Sequence, residues 1–257
     1  MLEVCALGSG SKGNAYVVGG EGSYILIDCG LSARRIRKGL QAANVPESAL
    51  EGIVLTHEHH DHVAGLPVFR KGSGLPVYAT PGTWEGVRRK GSGPFRPVEA
   101  GRPFAIGPFR IVPFSVSHDA ADPVGLVLES DWGSVGIATD LGCADERIRQ
   151  RLSGHRVVVI ESNHDEDLLR NGSYPWDLKE RILGLFGHLS NRDSQSTLVS
   201  AAHDRLEAVL LAHLSQENNR VDLALGGAVE ALRRNGFDWV RVEVGLQDEA
   251  GEVIRLS

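Results

Sequence analysis

Cysteine is scarce in this sequence, with only Cys5, Cys29 and Cys143 among 257 residues. So small and odd a number argues against a disulfide scaffold and for a reducing compartment, so the cytoplasm is the expected location. No apolar run approaches the ~18 residues of a membrane span, and no membrane partner is expected. The N-terminus, Met1 to Cys5, lacks a basic region followed by an apolar stretch, so no secretory signal is expected. A net positive charge is also missing. Lys and Arg number 27 against 33 Asp and Glu, a net of −6 that reads poorly for nucleic acid. Aromatic residues are 6%, and Trp84, Trp132, Trp176 and Trp239 show no spacing that suggests base stacking. There is no repeat with a period of roughly 20–50 residues, no low-complexity tract and no convincing linker. Gly91–Pro97 is too short to separate domains. At one domain per ~150 residues the length allows one large domain or two small ones, and residues 1–257 are expected to form one.

What is present is more specific. Hydrophobic residues make up 42%, enough for a sizeable core, and disorder is excluded. The charge is uneven: residues 1–130 carry a net of +1 and residues 131–257 a net of −7. The dense basic runs are Arg34-Arg35-Ile36-Arg37-Lys38 and Arg88-Arg89-Lys90, which could grip a nucleic-acid backbone if both flank an active cleft, or be solvated surface. Of ten histidines, four fall within six residues, His57 to His62.

Strands are expected at Leu2–Leu7, Ala15–Val18, Tyr24–Asp28 and Ile53–Thr56, then at Pro76–Ala79, Pro97–Phe104, Phe109–Ser117, Pro123–Ser130 and Ser134–Thr139. Ser32–Ala43 has helical spacing. The last third alternates: strands at Val157–Ile160, Ala208–Ala212, Trp239–Val244 and Val253–Leu256, and helices at Pro175–Phe186, Ser190–Ala202 and Asn219–Asn235. Ser190 with Asp193, and Asn219 with Asp222, are placed as N-cap and N3 of the last two helices. Strands followed by alternating helices and strands suggest packed sheets with helices outside.

The segment that carries chemistry is Thr56-His57-Glu58-His59-His60-Asp61-His62, which follows a strand directly. On a sharp turn His57 and His59 can face one point and Asp61 and His62 a second. Imidazole and carboxylate donors suit Zn²⁺, Mn²⁺ or Fe. One turn leaves such sites incomplete, and the sequence offers the rest at the tips of other apolar strands: His118, Asp140 and His213.

The order HxHxDH, His118, Asp140, His213, with Asp28 in Leu26-Ile27-Asp28-Cys29-Gly30, resembles the metallo-β-lactamase fold superfamily from residue 2 to about 245. The resemblance implies an α/β fold, an αββα sandwich of two mixed β-sheets flanked by helices. It implies that His57, His59 and His118 hold one divalent cation, that Asp61, His62 and His213 hold a second, and that Asp140 bridges them. A water in the remaining shared position would have its pKa lowered toward ~7, making a bridging hydroxide nucleophile available. His60 is left without a ligand role, and Asp28 is expected to orient ligand histidines through hydrogen bonds.

Other residues narrow the branch. Position 140 is Asp, not the Cys of common zinc β-lactamases, and position 59 is His where flavodiiron oxidoreductases usually have Glu. Only 72 residues separate Asp140 from His213, which leaves no room for the insertion of β-CASP nucleases. Gly187-His188-Leu189-Ser190-Asn191 resembles a stretch of transfer-RNA 3′-processing members, and Ile160-Glu161-Ser162-Asn163-His164-Asp165 stands where those carry a His-Glu motif. His164 or His188 could protonate a leaving oxygen, or both could be surface or capping residues. The glycine turn Gly8–Asn14 could cradle a phosphate through Ser11, Lys12 and Asn14, and Ser190 could do so from its helix start; the turn lacks GK[ST] and is no nucleotide P-loop.

Ser9 to Asn14, Asp28 to Ser32, Glu161 to Asp165, Gly172 to Pro175, Leu178 to Ile182, Gly187 to Asn191 and His213 to Asn219 are together similar to the YycJ/WalJ-type bacterial proteins. That resemblance implies a metal-dependent DNA 5′→3′ exonuclease acting on a DNA 5′ end. The alternatives are a small-molecule hydrolase of the same fold, taking a cyclic phosphodiester, lactone or thioester, and a metal-loaded scaffold without turnover. The sequence does not choose among Zn, Mn and Fe, and it leaves the oligomeric state open.

Overall fold

The computed structural model describes residues Met1–Ser257. Its strands, in chain order, are β1 (Leu2–Gly8), β2 (Ala15–Gly20), β3 (Ser23–Ile27), β4 (Leu50–Val54), β5 (Val77–Ala79), β6 (Phe95–Pro97), β7 (Phe104–Ile106), β8 (Phe109–Ser115), β9 (Val124–Ser130), β10 (Gly133–Ala138), β11 (Val157–Glu161), β12 (Ala208–Ala212), β13 (Arg241–Val244) and β14 (Ile254–Leu256). The helices are α1 (Ala33–Ala42), α2 (His60–Val63), α3 (Leu66–Ser73), α4 (Pro81–Gly86), α5 (Glu146–Leu152), α6 (Glu166–Asn171), α7 (Trp176–Leu183), α8 (Asn191–Ala201) and α9 (Val221–Arg234).

Strand residues alternate between faces, and here both faces are apolar, so each strand must be covered on both sides. In β1, Val4 and Ala6 join one cluster while Cys5 and Leu7 join another. In β12, Ala208, Leu210 and Ala212 face the first cluster, and Val209 and Leu211 face a third. The first cluster lies between two sheets. The second is closed by Ile36 and Leu40 of α1 and by Leu66 and Phe69 of α3, the third by helices α5, α8 and α9. The result is the expected αββα sandwich, of two seven-stranded sheets ordered β14-β1-β2-β3-β4-β5-β6 and β13-β12-β11-β10-β9-β8-β7.

The strand directions decide where the site forms. β3 and β4 are parallel, with Ile27 beside Val54, so both end at one edge. β10, β11 and β12 are parallel and in step, with Ala138 beside Ile160 and Glu161 beside Ala212. β8 reaches the same edge because two antiparallel pairings, through β9, restore its direction.

Three expectations need correction. Pro97–Phe104 is no strand: β6 and β7 flank it in different sheets, and the chain crosses between them through a turn where Gly101 has φ +82°. The helix expected to run from Pro175 to Phe186 stops at Leu183, and Gly184–Gly187 form a turn. Asn219 does not cap α9; its amide is bound to the carbonyls of Ser162 and Asn163 instead, and Arg220 precedes the helix without a side-chain cap. By contrast Ser190 caps α8 as expected. Helices α2 to α6 escaped the sequence reading, being too short for a 3.6-residue period to show.

Candidate metal centre

The centre is assembled from loops that leave strand ends. Asp28 follows β3, and its carboxylate is wholly buried. It accepts from the Thr56 backbone N–H (2.8 Å), the Thr56 hydroxyl (2.9 Å) and His62 Nδ1 (2.8 Å). With Nδ1 on Asp28, His62 Nε2 is turned toward Asn14 Nδ2 (3.0 Å), Asp140 Oδ2 (3.2 Å) and Asp61 Oδ2 (3.5 Å). The histidine turn is clamped to the loop after β3. The Cys29 N–H donates to the His62 carbonyl and the Asn14 N–H to the Asp61 carbonyl, and the Gly65 N–H returns to the Cys29 carbonyl. This approach leaves no room for a side chain at residue 30, where a Cβ would stand 1.6 Å from the Asp61 carbonyl oxygen.

The other histidines are aimed in the same way. His118 Nδ1 bonds the Gly187 carbonyl (3.1 Å), which turns Nε2 toward His59 Nδ1 (3.2 Å). His59 Nε2 rests on the Asp119 carbonyl (3.2 Å), and His57 Nδ1 on the Thr56 hydroxyl (3.0 Å). His213 Nδ1 bonds Glu161 Oε1 (3.0 Å), and its Nε2 lies 3.3 Å from Asp61 Oδ2.

The ligand atoms therefore gather in overlapping sets, each spanning no more than 4.8 Å: His57, His59 and His118; Asp61, His62 and His213; and His57, His62 and Asp140. Asp140 is within reach of His57 from the first set and of both His62 (3.2 Å) and His213 (3.3 Å) from the second. The seven sequence-selected ligands are thus brought together, and His60, of the same turn, is exposed. His57 Nε2 and Asp140 Oδ2 are buried with no hydrogen-bond partner. Buried polar atoms are nearly always paired, and a cation between these atoms would pair both. The donor set, imidazole and carboxylate without thiolate, fits a divalent cation such as Zn²⁺, Mn²⁺ or Fe²⁺.

Electrostatics and backbone strain concentrate at the same point. Burial opposes charge on every group, but the Asp61 carboxyl is held well below its usual range by His62 and His213. Burial likewise pushes His213 down, yet Asp140, Asp61 and Glu161 outweigh it and carry the imidazole up to about 10. Asp28, Asp140 and His213 all have left-handed backbones, with φ of +59°, +56° and +55°. Each costs of order 1–3 kcal/mol and persists only because the surroundings over-determine it.

The remaining candidates are sorted by their surroundings. His188 is at the rim, 16% exposed, with Nδ1 2.7 Å from Glu161 Oε1 and 3.7 Å from Asp140 Oδ1. His164 stands apart: it is 1% exposed, neither ring nitrogen has a partner, and burial pushes its imidazolium down to about 4. Ser190 does not offer its hydroxyl to a ligand, because the hydroxyl accepts from the Asp193 N–H and donates to Asp193 Oδ2. Ser11 and Lys12 are exposed on the glycine turn, where the Lys12 backbone N–H donates to Gln247 Oε1. Asn14 is fully buried, its Oδ1 accepting from the Gly10 N–H and its Nδ2 3.0 Å from His62 Nε2. Of the basic runs, Arg35 and Arg37 are engaged by the Gln247 carbonyl and Glu47, whereas Arg88 and Arg89 are exposed just beyond Gly86, which packs on the Glu58 side chain.

The sequence singles out Glu161 only as part of the Ile160–Asp165 segment, with no role of its own, and the structure places it at the centre. It is wholly buried, accepts from His188 and His213, and receives the Leu141 N–H (3.0 Å). Burial raises its carboxyl, but His188 and His213 together bring it down to about 2. The signal was present, since Glu161 closes β11 as His213 follows β12.

Residues 23–236 match the family model for the beta-lactamase superfamily domain. The chain belongs to that superfamily. It is a metallohydrolase of that family. Within it, the chain is 35% identical to the exodeoxyribonuclease YycJ of Bacillus anthracis over 240 residues, covering 92% of this chain and 91% of that protein. It is also 35% identical to the exodeoxyribonuclease WalJ of Streptococcus pneumoniae over 224 residues, covering 85% and 83%. These matches make it a member of the YycJ/WalJ family. The metallo-β-lactamase fold protein YhfI of Bacillus subtilis shares its architecture, with a TM-score of 0.75 at 16% identity over 99% of this chain and 100% of that one. No helix is long and apolar enough to cross a membrane.

Proposed function

We propose that this chain is a DNA exonuclease that hydrolyses phosphodiester bonds from a 5′ end with two divalent cations. The observation that carries the reading is the likeness to two exodeoxyribonucleases along nearly the whole length of both partners. His57, His59 and His118 would hold one cation, Asp61, His62 and His213 the other, with Asp140 between them. Bound there, the cations would supply hydroxide at neutral pH and neutralise charge on the phosphoryl oxygens.

The chain's own residues supply the rest. Hydrolysis joins a water oxygen to phosphorus and breaks the bond to the leaving sugar oxygen, which then needs a proton. His188 is placed to give it: Glu161 holds Nδ1–H, so Nε2 faces outward at the rim. Asp61, ionised and part-exposed, offers an acceptor to the water. Asp28 and Glu161 keep His62 and His213 in the orientation that presents Nε2. The free thiols of Cys5, Cys29 and Cys143 fit a reducing cell interior.

The test is an assay of metal-stripped protein on 5′-phosphorylated single- and double-stranded DNA, with Mn²⁺ or Zn²⁺ restored. Stepwise release of nucleotides by wild type, and none by Asp61→Ala, is the expected result. No cleavage by protein shown to hold two metals would overturn it and point to the small-molecule hydrolase.

A further inference from the structure

Beside the metal centre, on the outer face of the second sheet, lies a cleft of about 770 Å³. One wall is Ser115 to Ser117, the continuation of β8, and the other is Cys143 and α5. The Gly142 N–H donates to the Ser117 carbonyl, so the two walls meet at the base. Ser117 precedes His118 and Cys143 follows Asp140 by three residues. With ~3.8 Å between successive Cα atoms, the cleft begins where the metal edge ends.

Two arginines of α5, Arg147 and Arg151, line this cleft. Both are exposed, and neither makes an ion pair or a side-chain hydrogen bond, whereas 12 of the 22 arginines lie within ion-pair distance of Asp or Glu. They stand one helical turn apart, about 6 Å, close to the rise of two nucleotides in a strand. The cleft's one carboxylate, Asp145, is occupied in accepting the Ile148 N–H as the cap of α5. Between cleft and centre stands the turn Gly184–Gly187. Leu185 in this turn packs its backbone against Gly142, and the next side chain, Phe186, is 61% exposed. The turn is fixed, because the Phe186 carbonyl accepts from the Asp119 N–H and the Gly187 carbonyl from His118. A large exposed aromatic on a rigid turn that packs on Gly142, at the end of a cleft lined by unpaired arginines, is the pairing that single-stranded nucleic acids use: stacking for bases and cations for phosphates.

We infer that this cleft binds the single-stranded nucleic-acid chain adjoining the scissile phosphate, with Arg147 and Arg151 on its phosphates and Phe186 under a base. The inference rests on the nuclease reading above and adds to it where the substrate runs. It also accounts for how a chain of net charge −6 can hold a polyanion: the cations required are local.

The experiment compares metal-loaded wild type, Arg147→Ala/Arg151→Ala and Phe186→Ala on a 5′-phosphorylated dinucleotide and on a long single strand, across salt concentrations. All three positions are at the surface, so folding is preserved. For the long strand the double variant should raise KM roughly ten-fold with kcat unchanged. The slope of log(kcat/KM) against log salt should flatten by about 1.4, or 0.7 for each lost phosphate contact. Phe186→Ala should raise KM for the long strand without altering the slope. Dinucleotide cleavage should be the same in all three. If wild type cleaves both substrates and the double variant keeps the wild-type KM and slope, the cleft assignment is wrong and the nuclease reading stands. If metal-loaded wild type cleaves neither substrate, both readings fall together.

Discussion

At the scale of single residues, the two histidines that the sequence left as rival proton donors have opposite surroundings. His188 is at the rim with a buried carboxylate behind it, while His164 is enclosed and held neutral above about pH 4. A group that is already deprotonated at neutral pH has no proton to give. His188→Ala is therefore expected to lower kcat by about 10²–10⁴-fold. His164→Phe should keep kcat near the wild-type value. A kcat lost in His164→Phe and kept in His188→Ala would reverse the assignment. Glu161 belongs with His188: Glu161→Gln keeps the shape but removes the charge that holds the His188 ring, and should also lower kcat.

At the scale of elements, the centre depends on the grip of the loop after β3 on the short helix α2. The grip is backbone to backbone, so it has no side chain that can rearrange. A methyl group at residue 30 would overlap the Asp61 carbonyl, and the loop or the histidine turn has to move. Gly30→Ala is expected to lose about 1–3 kcal/mol of stability, as overpacking does, and to bind less metal because Asp61 and His62 shift together. Thermal unfolding and metal content per chain measure the two effects. A variant of wild-type stability that holds two metals would show that the loop is looser than this packing implies. The left-handed backbones of Asp28, Asp140 and His213 belong to the same design: each marks a strand that ends abruptly and turns its polar side chain inward.

At the scale of the molecule, each sheet delivers both histidines and carboxylates to one edge, and metal binding becomes a proton exchange. In the metal-free protein the imidazole of His213 is carried up to about 10 from 6.5, and that of His62 is also raised, while Asp61 and Asp140 are lowered. The raised histidines stabilise the metal-free fold fully below about pH 6.5, and the His213 contribution fades as the pH climbs through about 10. Cations need these imidazoles unprotonated, so loading at pH 7 should release protons and the apparent affinity should rise with pH. Calorimetric titration of Zn²⁺ or Mn²⁺ in two buffers of different ionisation enthalpy measures the release. Equal heats in both buffers would show that His62 and His213 are already neutral.

His57 to His62, His118, Asp140 and His213 could be picked out of the sequence because ligand chemistry restricts residue type, and because each stands where an apolar run stops. The αββα layering was legible for a related reason: strands apolar on both faces must be covered on both faces. The sequence by itself thus determined the candidate donor residues, the layers and the place of the chain in its family. It did not determine the role of Glu161, whose residue type suits a surface helix as readily as a buried strand tip, nor the separation of His188 from His164. Ser190 and Asn219 looked alike as helix starts, yet one caps its helix and the other bridges two loops. Nor could spacing foresee the cleft, because β8, α5 and the Gly184–Gly187 turn are far apart in the chain and are joined through Gly142, which donates to the Ser117 carbonyl and packs on the turn. Residue type follows from chemistry that is local; proximity, burial and the direction of a ring nitrogen follow from which strands run parallel and in step, and that only the tertiary structure decides.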